Sequence, residues 1–173
     1  MPRTETNLLQ PGAESVDAIS LLRADMDDVD GAFAKFWDVS HDDDLEARSA
    51  KGAAARAACQ RTRDYLGLER AFVRALGSTV SDAALLRDMR AAQERALELC
   101  ATIERADPSG PHYDPSVRVL GDFLLRHAAG EREGVFRYAT ASRVNLFELG
   151  AQLRSERAER AERAVATGSV AAH

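Results

Sequence analysis

Apolar residues recur at steps of three and four along most of the chain, the period of helices that bury one face. The first stripe is Ile19, Leu22, Met26, Val29, Phe33 and Phe36, which predicts a helix from Glu14 or Ser15 to Trp37. The charged run His41-Asp42-Asp43-Asp44 then reads as a loop able to cap a second helix, because Asp accepts from free N–H groups and opposes the positive end of the dipole. That second helix is expected from Leu45 to Leu76, ending before Gly77, with Ala54, Ala57, Arg61, Asp64, Leu68, Phe72 and Ala75 on its inward face. A third helix is predicted from an N-cap at Ser81 or Asp82 to Ala106, with Leu86, Met89, Gln93, Leu97, Cys100 and Ile103 as its stripe. Three prolines and a glycine between Asp107 and Pro115 mark a loop. A fourth helix follows with Val117, Leu120, Leu124, His127, Glu131, Val135 and Tyr138 on one face.

A fifth helical stretch runs from Asn145 to Ala164. It opens with Leu146, Leu149 and Leu153 and passes into the repeat Ser155-Glu-Arg-Ala-Glu-Arg-Ala-Glu-Arg163, which has no apolar face and reads as solvated helix or tail. Four long amphipathic segments without period-two runs predict an all-α, up-down-up-down four-helix bundle with an additional C-terminal helix. The expected organisation is a flexible N-terminus over residues 1–13, a bundle over 14–155, and a charged helix end with a disordered tail over 156–173.

The stripes are apolar end to end except near their middles, where Asp64, Gln93, His127 and Glu131 fall. Polar groups at the centre of a bundle need partners or a ligand, so this layer is the candidate site. His127 and Glu131 lie one turn apart on the same face. His41 and His112 are placed in loops and His173 in the tail, without ligand partners at helical spacing.

Composition narrows the classes. A net charge of −5 and a pI near 5.4 argue against a nucleic-acid partner, and no compact basic cluster overrides them. The start, MPRTETNLLQPG, has no apolar run leading to a small-residue cleavage site, and the chain has no stretch of roughly 18 apolar residues, so no membrane association and a cytoplasmic location are expected. Cys59 and Cys100 are far apart in the sequence, each within a helical pattern and neither in a CxxC, which suits buried thiols of a reducing compartment better than a disulfide framework, and no redox or zinc motif is present. Glycine-rich phosphate loops, G-x-S-x-G elbows and H-E-x-x-H zinc motifs do not occur.

Several phrases resemble hemerythrin-like HHE cation-binding domains: Asp17-Ala-Ile-Ser-Leu-Leu-Arg-Ala-Asp25, Ala106-Asp-Pro-Ser-Gly-Pro-His-Tyr-Asp114, Val119-Leu-Gly-Asp122, Glu131-Arg-Glu-Gly-Val-Phe136 and Leu149-Gly-Ala-Gln-Leu153, in the family's order over residues 15 to 155. The resemblance implies a four-helix bundle whose typical members hold a non-heme di-iron centre. Carried over by position, it puts Met26 where the first-helix histidine stands, Asp64 and Leu68 on the second-helix HxxxE, Gln93 on the third-helix histidine, and His127 and Glu131 on an intact fourth-helix HxxxE. Two of six typical ligand positions then match, and the resemblance does not extend to a binuclear centre.

Two solutions for the layer stay open. In one, a protonated His127 bridges Asp64 and Glu131, with Gln93 or Arg61 taking the remaining lone pairs and no cofactor bound. In the other, Asp64, His127 and Glu131 hold one divalent ion, iron, manganese or zinc. The first suits a non-catalytic binding or regulatory module that has lost its di-iron centre, with the charged C-terminal helix offered to a protein partner. The second suits a metal-binding protein in oxygen, nitric oxide, peroxide or iron handling, roles implied by the resemblance. Acid/base catalysis by the same three residues is the weakest reading, because no substrate group can be read from the sequence.

Overall fold

The computed structural model describes residues 16–40 and 45–170, except the side chains of Ser78 and of residues 164–170. Residues 1–13, the loop His41 to Asp44 and His173 lie outside the described residues. Within them the chain is all-α: α1 (Ala18–Val39), α2 (Leu45–Leu76), a short 3-10 turn (Gly77–Thr79), α3 (Ala83–Arg105), α4 (Tyr113–Glu133), α5 (Val135–Ala141) and α6 (Leu146–Val170). No helix among the described residues is long and apolar enough to cross a membrane.

The caps explain the starts. Asp17 accepts from the amides of Ile19 and Ser20, and Asp82 from those of Ala84 and Leu85, each supplying an acceptor to a first turn that has none of its own. Asn145 does the same for Phe147 and Glu148 at the head of α6. The expected fourth helix is divided at Gly134, so Val135 and Tyr138 belong to α5.

Six apolar residues of α1, from Ile19 to Phe36, are buried as the periodicity predicts. The face of α2 differs from expectation by one residue. Ala55, Ala58, Cys59, Thr62, Tyr65, Leu66, Glu69, Phe72 and Leu76 point inward, whereas Arg61 and Asp64 are exposed. One residue along a helix is about 100° of rotation, which turns Asp64 from the core to solvent. Its carboxylate accepts from Gln60 Nε2 at 3.0 Å instead.

Side-chain pairings set the helix directions. Along α2 and α3, Cys59 meets Cys100 and Glu69 meets Gln93, so the two run in opposite senses. Along α2 and α4, Lys51 pairs with Asp114 at 2.6 Å and Tyr65 with Glu131, so these run in the same sense.

α6 docks through its opening turns, and residues 158–163 of its charged repeat are exposed. It packs on α1 and α2 and continues without a break past residue 155. Leu149 and Leu153 are buried, Arg154 donates to the carbonyl of Val16 at 3.0 Å, and Arg157 donates to Asp25 at 2.5 Å. The first turn of the repeat joins the bundle by ion pairs, Arg157 with Asp25 and Glu156 with Arg74, for which an apolar stripe is not required.

Candidate metal and proton site

Five side chains from three helices form the polar layer. α2 contributes Tyr65 and Glu69, one turn apart; α3 contributes Gln93; α4 contributes His127 and Glu131, also one turn apart. The i, i+4 spacing on α2 and α4 puts both residues of each pair on one face, and the parallel course of these helices sets the pairs opposite each other.

Glu69 is the hub. Its side chain is 0% exposed, His127 Nε2 lies 2.7 Å from its Oε1, and Gln93 Nε2 donates to its Oε2 at 2.6 Å. A carboxylate oxygen only accepts, so in this arrangement His127 carries its hydrogen on Nε2. Tyr65 donates its phenolic hydrogen to Glu131 Oε2 in a short contact. Glu131 Oε1, also buried, receives no hydrogen from a donor among the described residues, and the protonated Glu131 carboxyl hydrogen-bonds Glu69.

The electrostatics divide the two carboxyls. Burial, then the negative charge of Glu69, pushes Glu131 up to about 10, so at neutral pH it holds a proton. Burial, with the charges of Glu131 and Glu69 behind it, pushes the Tyr65 phenol well above its ordinary range. Tyr65 is therefore a donor and not a phenolate while no cation is present.

One ligand atom each from Glu69, His127 and Glu131 lies within 4.8 Å of the others, close enough for one ion to contact all three. Of the residues expected at the site, the structure brings together His127, Glu131 and Gln93. Asp64 lies outside the cluster, for the rotational reason above, and Glu69 replaces it. Leu68 is buried beneath α6, lining a groove with Arg157 and Arg160. Met26 packs in the core and borders a 360 Å³ cleft between α1 and α4 that is also lined by Leu22, Arg23, Ala128, Glu131 and Phe136. His112 is exposed.

Glu69 is the site residue that the expected α2 stripe does not contain. Its signal lies in the run Cys59, Thr62, Leu66, Glu69, Phe72 and Leu76, which keeps helical period and carries larger apolar groups than the stripe through Ala54, Ala57 and Asp64.

The donor set does not fit a di-iron centre. One imidazole and two carboxylates can face one ion, while Met26 offers a thioether and Gln93 has committed its amide to Glu69. No family model, curated protein or solved structure matches this chain.

Proposed function

We propose that this chain is a hemerythrin-like, up-down-up-down four-helix bundle with an added C-terminal helix, which has lost the di-iron centre and serves as a binding module for one divalent cation. The antiparallel course of α2 and α3 and the parallel course of α2 and α4 support the topology. Moving the resemblance by one residue on α2 puts Tyr65 and Glu69 on the second-helix pair, so three acidic or imidazole positions of the family's six are kept: Glu69, His127 and Glu131.

The observation that carries the reading is the buried Glu69, His127 and Glu131 cluster, whose ligand atoms lie within 4.8 Å of one another while a proton between the two carboxyls stands in place of a positive charge. A divalent ion supplies that charge, displaces the Glu131 proton and takes carboxylate oxygens of Glu69 and Glu131 as ligands. Oxygen-rich donors with one nitrogen suit manganese, iron or zinc better than a soft ion. The cleft between α1 and α4 gives a path to Glu131. Tyr65 and Gln93 orient the carboxylates as outer partners.

A metal-free network is the second reading, favoured by the pairing already made by Glu69, His127, Gln93 and Tyr65. Elemental analysis of untagged protein, grown with iron, manganese and zinc supplied, separates the two. The cation reading expects about one metal per chain, lost on Glu69→Gln or Glu131→Gln in variants that stay folded. Metal-free protein that gains no thermal stability from added manganese, ferrous iron or zinc sinks it and leaves a structural network. About two irons per chain would restore the di-iron reading that the donor set argues against.

A further inference from the structure

Cys59 of α2 and Cys100 of α3 meet across the helix pair. Cys59 Sγ is 3.9 Å from the carbonyl oxygen of Cys100, and Cys100 Sγ is 3.9 Å from the carbonyl oxygen of Cys59. Reciprocal contacts of this kind put both sulfurs in the space between the two backbones. Both residues are free thiols in the core. One turn before each stands a buried alanine, Ala55 on α2 and Ala96 on α3, and small residues there let the two helices approach closely. Arg63, one turn along α2, reaches back across the cysteine level to Glu104, one turn along the antiparallel α3, with two hydrogen bonds of 2.7 and 2.5 Å, and so ties the two helices together at the cysteines. A disulfide needs its two backbones close and its Cβ vectors convergent, and each of these contacts acts in that direction.

We propose that Cys59 and Cys100 form a redox pair, closing an intramolecular disulfide between α2 and α3 when the chain meets a peroxide. The thiolate of one cysteine attacks a peroxide oxygen. The O–O bond breaks, water leaves after protonation, and that cysteine becomes a sulfenic acid. The thiolate of the second then attacks the sulfenic sulfur, the S–S bond forms, and a second water departs. Two thiols and one hydrogen peroxide thus give one disulfide and two waters, the sulfurs losing the two electrons that the peroxide gains.

The reciprocal contact leaves either sulfur able to act first, and the Arg63 guanidinium beyond the pair favours a thiolate on Cys100. The bond would lock α2 to α3 about two turns of α3 from Gln93, and so stiffen the contact that holds Glu69. This pair is independent of whether the central layer binds a cation.

The test is intact mass and thiol alkylation of the full chain after hydrogen peroxide treatment, run with and without sub-denaturing urea so that access to the buried sulfurs does not limit the reaction. The expected product is a monomer lighter by about 2 Da that takes up no alkylating reagent after denaturation and regains two reactive thiols on reduction. Its melting temperature should rise by roughly 5–15 °C. Cys59→Ser and Cys100→Ser should each abolish the mass loss. Two alkylatable thiols after peroxide in urea, oxygen addition without a cross-link, or disulfide-linked dimers as the main product would each overturn the pair.

Discussion

His127 Nε2 and Glu69 Oε1 stand 2.7 Å apart with neither side chain more than 7% exposed, and this contact joins α4 to α2 at the polar layer. Gln93 reaches the other oxygen of the same carboxylate, so Glu69 serves donors from two helices. Removing it strands both donors in a place water does not reach. We predict that Glu69→Leu costs about 3–5 kcal/mol in metal-free protein, measured by urea unfolding. The quadruple variant Glu69→Leu, Gln93→Leu, His127→Leu, Glu131→Leu should recover most of that loss, because no polar group is then left without its partner. A quadruple variant no more stable than the single one would mean that shape, and not pairing, governs the layer.

Glu131 gives the layer a pH signature. Its folded pKa is pushed up to about 10 from the ordinary 4.5, by burial and then by the charge of Glu69, so the folded state holds a proton that the unfolded state releases over that window. Stability from this group is complete below about 4.5 and declines as pH rises toward about 10, by at most about 1.4 kcal/mol per pH unit. The groups facing it are Tyr65 and Glu69 from α2 and Arg132 beside it on α4, with His127 one turn away. Glu131→Gln keeps the shape of the protonated acid and removes the titration. In chelator, wild-type protein should lose stability relative to Glu131→Gln between pH 5 and pH 9, and a constant difference would refute the assignment. With a bound cation the proton is already displaced, so metal affinity should climb over the same range.

How far the chain could be read without coordinates differs between helices for a physical reason. On α1 the buried face is built of Ile, Leu, Val, Met and Phe, and the stripe from Ile19 to Phe36 fixes its own phase. On α2 the inward face carries Lys51, Thr62, Tyr65 and Glu69 among small alanines, so polarity points away from the core where the chain goes into it. The stripe through Asp64 differs by one residue from the buried face through Glu69, because two such phases are almost indistinguishable when the buried face is polar. His127, Glu131 and Gln93 were legible since their neighbours Leu120, Leu124, Met89 and Cys100 are unambiguous. The Arg157 contact of α6 was not, because an Arg-Glu-Ala repeat gives no periodicity to distinguish a partnered arginine from a solvated one.

Asp25 and Arg157 supply the clearest test of that docking. The Asp25 side chain is 6% exposed and its pKa is raised by burial, against the lowering influence of the Arg157 guanidinium 2.5 Å away. Arg157→Ala leaves a buried carboxyl with no cation. It should destabilise by about 2–4 kcal/mol at neutral pH, while Asp25→Leu combined with Arg157→Ala should cost less than the single change. The loss in Arg157→Ala should shrink at acid pH as Asp25 takes up a proton, read by thermal melts from pH 4 to pH 8. An Arg157→Ala variant as stable as wild type at every pH would mean that α6 does not rest on this pair.

Two glycines on the α6 contact should answer alanine in opposite ways. A Cβ at Gly67 meets only the tip of Arg160, whose Nη1 would stand 3.0 Å away and can swing aside. Gly67 is in the interior of α2, so Gly67→Ala should stabilise by about 0.5–1 kcal/mol through helix propensity. A Cβ at Gly150 collides with the carbonyl oxygen of Val16 and stands 3.0 Å from the amide nitrogen of Ala18, both main-chain atoms at the head of α1. Backbone cannot rotate away as a side chain can, so α6 must lift off, exposing Leu149 and Leu153. Gly150→Ala should therefore destabilise by roughly 2 kcal/mol or more despite alanine's better propensity, and amide exchange should accelerate along α6 first. Equal and favourable effects at both positions would mean that α6 does not contact the start of α1 this closely in solution.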